Sequence, residues 1–249
     1  MKTEWDYTKL ADAYLKRPDY SEAAIDAMLS IAKITESNSV CDVGAGVAHL
    51  TIMLANRGLN VNAVEPNDAM RKNGISRTSK FHNVSWIEGT GECTHQESNS
   101  FDMVTFGSSF NVCNREEALK EVSRILKPKG YFACMWNHRD LKDSIQSTIE
   151  SIIRNHISDY GYGTRREDQS QVIDLSNLFE SVIHLNSKVK HYQTISECVE
   201  AWRSHATLER QAGSSFKDII HDIETYLLGL DVDTILIPYT TNIWMSRLK

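Results

Sequence analysis

Asp42 stands two residues before Gly44-Ala45-Gly46, and Glu65 follows Gly46 by nineteen positions. The first group closes the apolar run Val40–Val43 and opens a helical pattern in which Leu50, Met53 and Leu54 share a face. A glycine turn at that junction exposes bare backbone at a helix N-terminus, where a ligand can lie directly against the main chain. Glu65 ends a second run, Val61–Glu65, ahead of Pro66-Asn67. A carboxylate there can accept both hydroxyls of a ribose. The alternatives are a helix-capping role for Asp42 and a solvated carboxylate before a proline turn for Glu65.

A dinucleotide fingerprint carries a third glycine three residues after the second, and here that position is His49. A pyrophosphate also has no use for a nearby carboxylate, whereas Asp42 can reach an ammonium group directly or through water. The pattern therefore points to the amino-acid end of S-adenosylmethionine more than to a dinucleotide.

These residues need a parallel sheet to position them. Five strand-like runs recur, at Val40–Val43, Val61–Glu65, Val84–Glu88, Phe101–Phe106 and Tyr131–Trp136, with helical patterns between them. Leu119, Val122, Ile125 and Leu126 mark one helix face, and Lys127-Pro128-Lys129-Gly130 stops that helix and turns the chain. Such alternation predicts an α/β fold with helices on both sheet faces and a ligand beyond the strand C-termini, where the winding direction switches.

The 249 residues suffice for a single domain, 1–249, with a small cap. The net charge of −6 and the scattered Lys and Arg argue against a nucleic-acid partner. No apolar run reaches membrane-spanning length. The five cysteines, Cys41, Cys93, Cys113, Cys134 and Cys198, show neither metal-knuckle nor redox spacing, so no metal is expected. Their odd number, with no leader pattern, predicts a cytoplasmic protein.

Four segments in order resemble the class I S-adenosylmethionine-dependent methyltransferases, in particular the type-11 group that acts mostly on small molecules. They are Asp42-Val43-Gly44-Ala45-Gly46, Val64-Glu65-Pro66, Glu88-Gly89-Thr90-Gly91-Glu92, and Phe101-Asp102-Met103-Val104 with Leu126-Lys127-Pro128-Lys129-Gly130. The likeness covers roughly residues 5–140. Trp136-Asn137-His138-Arg139-Asp140 resembles one branch of the group. The resemblance implies a Rossmann-like, mostly parallel seven-stranded sheet with an antiparallel terminal strand. It implies that Gly44, Ala45 and Gly46 pass under the methionine part of the cofactor, that Asp42 faces its amino end and that Glu65 holds the ribose. Met70 would pack on the adenine, Thr90 and Gly91 would meet its edge with Glu92 supporting that turn, and Ser108 would flank the methionine part. Tyr14 and Arg17 would close over the cofactor, Arg17 pairing its carboxylate. For Met70, Thr90 and Arg17 the plain readings are a core residue, a turn residue and an exposed charge.

After the fourth strand that branch carries a histidine with an aromatic neighbour. This chain has Phe110-Asn111-Val112-Cys113 instead. Asn111 cannot act as a base but can orient a substrate. The candidate base is His138, whose alternative is a loop-packing role. Residues 141–181 are expected to form a cap: Ile145, Ile149, Ile152 and Ile153 mark an amphipathic helix, and a Gly/Tyr-rich segment leads to Arg165-Arg166. There Tyr162 would shield the site, and Arg165 and Arg166 would receive a carboxylate or phosphate, unless they form an ordinary solvated loop. Ile195–Leu208 is expected to be helical, with His205 either facing the site or packed. Phe216, Ile219, Ile220, Ile223 and Leu227 mark a further helix. A terminal strand should run from Ile235 to Trp244, with Pro238 at an edge or a bulge.

The expected function is S-adenosylmethionine-dependent methyl transfer to an oxygen or nitrogen of a small-molecule acceptor, by a monomer or homodimer. An NAD-dependent oxidoreductase, an RNA or protein methyltransferase and a non-catalytic cofactor-binding module remain as alternatives.

Overall fold

The computed structural model describes Thr8 and residues 11–249; residues 5–7, 9 and 10 of the family-like stretch lie outside these. A short α1 (Ala11–Tyr14) and α2 (Glu22–Ala32) precede the sheet. Ser21 caps α2 by accepting the Ala24 N–H, and Lys33 in the left-handed region ends it. Then follow β1 (Ser39–Val43), α3 (His49–Ala55), β2 (Asn60–Val64), α4 (Asp68–Thr78), β3 (Val84–Ile87), β4 (Phe101–Gly107), α5 (Arg115–Ile125) and β5 (Leu126–Arg139). The remainder comprises α6 (Ser144–His156), α7 (Ser170–Leu175), β6 (Ile183–Thr194), α8 (Ile195–Arg203), α9 (Ala206–Ala212), α10 (Phe216–Leu228) and β7 (Thr234–Arg247).

The seven strands lie in the order β3-β2-β1-β4-β5-β7-β6, and β7 runs antiparallel to both of its neighbours. The order reverses between β1 and β4, so the chain leaves the C-terminal ends of these strands in opposite directions and opens a crevice there. Alternation along the strands sends Val40, Val61, Met103 and Met135 to the α2/α3 face. It sends Cys41, Val104, Phe106 and Phe132 to the α5/α7 face.

Two elements depart from the sequence reading. Leu126 does not extend the α5 face but starts β5, pairing with Phe101 before the ladder slips and resumes at Tyr131–Met103. The slip absorbs the Lys127–Gly130 turn, where Lys129 is left-handed. β7 is flanked by β5 and β6, and Pro238 pairs with Lys190 of β6; β5 ends opposite Tyr239, so on that side Pro238 stands locally at an edge, where no strand uses the missing donor. β6 escaped the sequence reading because it is an outer strand with many exposed residues, and its polar Asn, Ser and Lys positions show no buried run.

Residues 141–181 divide between two layers. α6 packs through Ile149 and Ile153 into a third core that also contains Trp202 of α8, Leu208 of α9, Ile219, Ile220 and Ile223 of α10, and Tyr239 of β7. Ile173 of α7 joins the main core beneath the sheet. The cap over the strand ends is therefore built from α6 together with α8–α10, and the predicted Ile195–Leu208 helix is interrupted at Ser204–His205.

Candidate active site

The crevice at the C-terminal ends of β1 and β4 opens into a cavity of about 860 Å³ between sheet and cap. This lies in the upper part of the range for small-molecule sites. Every candidate site residue named from the sequence lines it: Tyr14, Arg17, Asp42, Gly44, Ala45, Gly46, Glu65, Met70, Thr90, Gly91, Glu92, Ser108, Asn111, His138, Tyr162, Arg165 and Arg166.

The glycine turn forms because Gly44 and Gly46 adopt φ of 67° and 57°. The Gly44 and Ala45 N–H groups both donate to the Val64 carbonyl, which ties the turn to β2. A side chain at Gly44 would overlap Ser109, whereas Gly46 has open space around its missing Cβ. Asp42 is fully buried, and its carboxylate accepts the hydroxyls of Thr51 at 2.7 Å and Thr105 at 3.0 Å. Burial pushes its pKa up to about 6, against the opposing pull of these hydrogen bonds. It lines the cavity from its floor, and it also takes a backbone hydrogen bond from Thr51 in the first turn of α3, whose N-cap Ala48 is left-handed and makes no side-chain bond.

Glu65 is nearly buried. One carboxylate oxygen accepts the Gly46 N–H and the other the Asn67 N–H, each at 2.8 Å. Burial raises its pKa, and the backbone donors and Arg71 pull the other way. An ionised carboxylate oxygen accepts more than one donor, so the pair remains competent for two hydroxyls. Met70 is buried against Ala11 and Val47 beneath Tyr14. Thr90 closes a tight turn with Cys93, and a Cβ on Gly91 would press on Cys113 Sγ. Glu92 accepts the Asn114 N–H at 2.6 Å and thereby ties this turn to the start of α5. Ser108 (φ 61°) shares a hydrogen bond with the buried Tyr20 hydroxyl at 2.9 Å.

The residues that hold the Tyr14–Asp19 segment were not named from the sequence. His49 binds the Tyr14 carbonyl through Nε2 at 2.8 Å and Asp19 through Nδ1 at 2.6 Å. Asn137 donates to the Pro18 and Asp19 carbonyls and is itself fixed by the Thr241 hydroxyl. Arg17 lies over the Tyr14 ring at 3.6 Å. A histidine in the position where a dinucleotide site has its third glycine was the available signal.

Residues 41–134 match the family model described as a methyltransferase domain. An uncharacterized methyltransferase of Schizosaccharomyces pombe is 33% identical over 53% of this chain and 52% of its own length. Residues 41–134 thus carry a methyltransferase domain of the type-11 group of class I S-adenosylmethionine-dependent methyltransferases. A ubiquinone/menaquinone biosynthesis C-methyltransferase of Zymomonas mobilis is 30% identical over 44% of this chain and 47% of that protein. The chain thus spans about half the length of the curated relatives it matches. The structure of a putative type II methyltransferase from Anaeromyxobacter dehalogenans shares the fold at a TM-score of 0.64 and 15% identity, over 93% of this chain and 97% of that one.

S-adenosylmethionine is the cofactor of this methyltransferase domain. Its residues fit that molecule: the bare turn at Gly46 admits close approach, and Glu65 presents a carboxylate beside it. The cap-side half of the methyltransferase cavity has a different character. Asn111 Oδ1 accepts the Trp136 indole N–H at 3.0 Å. Both His138 nitrogens are engaged, Nε2 with the Arg165 carbonyl at 2.8 Å and Nδ1 with the Asn242 amide at 3.2 Å. Burial, followed by the nearby Arg166 and Arg165 charges, lowers its pKa to about 4 despite the carbonyl bond. His205 is buried, accepts the Leu208 N–H through Nδ1 and stacks on Trp202. Arg139, which the sequence reading passed over inside Trp136–Asp140, lies 4.0 Å over the Trp202 ring. Among the described residues no cluster of His, Cys, Asp and Glu could hold a metal ion, and no helix is long and apolar enough to cross a membrane.

Proposed function

We propose that this protein transfers the methyl group of S-adenosylmethionine to an oxygen or nitrogen of a small carboxylated or phosphorylated acceptor. The observation that carries the reading is the Glu65 carboxylate, fixed by the Gly46 and Asn67 N–H groups beside the glycine turn at the switch point of the sheet.

The bound cofactor supplies a methyl group already activated for in-line displacement, so the protein's share is geometry and exclusion of water. Glu65 orients the ribose end, and the Gly44–Gly46 turn passes under the methionine end. Asp42 sets a negative charge toward the amino group. Tyr14 and Arg17, tied down by His49, cover the cofactor, and Arg17 meets its carboxylate. Thr90, Gly91 and Met70 form the adenine wall. On the acceptor side Asn111 keeps its amide oriented through Trp136, while Tyr162 closes the cap. His138 acts here as a positioning residue that holds the Arg165 loop, because a base role would require one of its two hydrogen bonds to open.

A carbon acceptor is the second reading, suggested by the likeness to the Zymomonas C-methyltransferase. Carbon needs a proton removed by a base, and the engaged His138 favours oxygen or nitrogen. We place the protein in the cytoplasm on its five unpaired cysteines. Calorimetry with S-adenosylmethionine, S-adenosylhomocysteine and NADH tests the cofactor assignment. Binding of the first two, abolished by Glu65→Ala, is expected; binding of NADH instead would overturn it. Product detection with panels of acidic acceptors then tests the transfer itself.

A further inference from the structure

We propose that Arg139, Arg165 and Arg166 form an oxyanion site that grips the methyl acceptor by an anionic handle, separate from the atom that is methylated. This rests on the methyl-transfer reading and adds the residues that hold the acceptor's anionic group and the separation of that group from the reacting atom.

The three guanidinium groups meet on the cap side of the cavity. Arg166 Nη2 donates to the Arg139 carbonyl at 3.1 Å, and Arg139 Nε donates to the Tyr239 hydroxyl at 3.0 Å. Arg165 Nη2 lies 3.5 Å from His205 Nε2. Aromatic faces support the cations: Trp202 lies under Arg139, and Tyr162 lies 4.2 Å from Arg166 and 5.2 Å from Arg165. Stacking of this kind covers the planes of a guanidinium and leaves its N–H edges to bind a carboxylate or phosphate.

Among the described residues, none of the three has a carboxylate at ion-pair distance. Arg57, Arg71, Arg124, Arg154, Arg203 and Arg247 all do. The acid whose charge acts on Arg166, Glu150, is committed to Arg154 and to the Tyr162 hydroxyl. Burial, reinforced by the neighbouring arginine charges, weakens the hold of Arg165 and Arg166 on their protons. Three cations drawn partly out of water without a counter-ion are unfavourable unless a ligand supplies one. Gln193, 5% exposed, lines the same cavity, and its buried Oε1 has no hydrogen-bond partner among the described residues; as an acceptor it suits a donor group of the bound molecule, such as a hydroxyl or an amine, and takes no part in holding the anion.

The handle must be distinct from the nucleophile. Guanidinium donors on an attacking atom hold the lone pair that has to form the new bond. They would stabilise the ground state more than a transition state in which that negative charge is being lost. The same donors on a remote carboxylate or phosphate stabilise both states alike and serve to position the acceptor.

The test is calorimetric titration of inorganic phosphate and of succinate into protein saturated with S-adenosylhomocysteine, which occupies the Arg17 side. At least one anion should bind in the millimolar range or tighter, and Arg165→Gln and Arg166→Gln should each weaken it about tenfold, as expected for loss of a charge-assisted hydrogen bond. Phosphate alone would indicate a phosphorylated acceptor, and succinate alone a carboxylated one. Retained affinity for S-adenosylhomocysteine verifies that each variant is folded. Should a variant fail to fold, phosphate should protect Arg165 and Arg166 of the unaltered protein from phenylglyoxal. No binding of either anion up to tens of millimolar, or binding that survives both replacements, overturns the proposal. If S-adenosylhomocysteine itself does not bind, the cofactor reading fails separately, and the same titration into Arg17→Gln protein still decides the anion site.

Discussion

Glu65 Oε2 accepts the Gly46 N–H at 2.8 Å, so the acid at the end of β2 and the turn at the end of β1 form one hydrogen-bonded unit. The other oxygen holds Asn67, the N-cap of α4. The carboxylate is therefore fixed before any ligand arrives, and little side-chain entropy is lost on binding.

Glu65→Gln should weaken S-adenosylhomocysteine binding by ten- to a hundred-fold, from roughly 1.5–3 kcal/mol for hydrogen bonds to a charged group. The amide nitrogen would also face a backbone N–H. Because burial raises the Glu65 pKa, affinity should fall with decreasing pH at a midpoint above the ordinary glutamate value. Calorimetry across pH checks this, and an unchanged affinity in the variant would refute it.

Asp42→Asn should separate stability from binding. The folded pKa of about 6 lies above the unfolded value of 3.8, so the native state takes up its proton first. The buried charge then opposes folding above about pH 6, and stability is regained as pH falls toward 4. The variant should stabilise the free protein at pH 7 by on the order of 2 kcal/mol, lose that advantage near pH 4, and bind cofactor more weakly. Urea unfolding at both pH values measures it.

His138→Gln should show the opposite pH dependence. The folded pKa of about 4 lies below the ordinary 6.5, so the unfolded state binds the proton more readily. The contribution of His138 is present above pH 6.5 and is lost as pH falls toward 4, by on the order of 1–2 kcal/mol once partial exposure is allowed for. Asp42 and His138 thus offset each other in the unaltered protein, and single-variant unfolding curves resolve them. As a positioning residue, His138→Gln should raise KM for the acceptor while kcat falls less than about tenfold. A kcat loss of a thousandfold would restore the base role.

His49→Ala should release the Tyr14–Asp19 segment and speed cofactor dissociation several-fold, since two hydrogen bonds at about 1 kcal/mol each are removed. Stopped-flow fluorescence measures the rate. An unchanged rate would mean that Asn137 suffices to hold the segment.

Gly44→Ala should cost about 2 kcal/mol or more of stability and disable the cofactor site, because a left-handed backbone and an overlap with Ser109 act together. Thermal unfolding is the direct check.

The strand–turn–helix at Asp42–Leu54, the acid ending β2 and the alternation of apolar runs were determined by the sequence itself. Each is a local requirement: a positive φ needs glycine, a buried parallel strand needs a continuous apolar run, and a helix needs a repeating face. Tertiary structure alone decided the rest. β6 is stabilised by pairing with β7, and its polar, exposed residues carry no local signature. His49 and Asn137 act on residues at least thirty and more than a hundred positions away, respectively. Arg139 lies on β5 and Arg165 on the cap loop, while the acid that might have neutralised Arg166 is committed elsewhere. Which charges meet, and which go unpaired, depends on chain paths that bring distant segments to one cavity, and no spacing within a single segment encodes that.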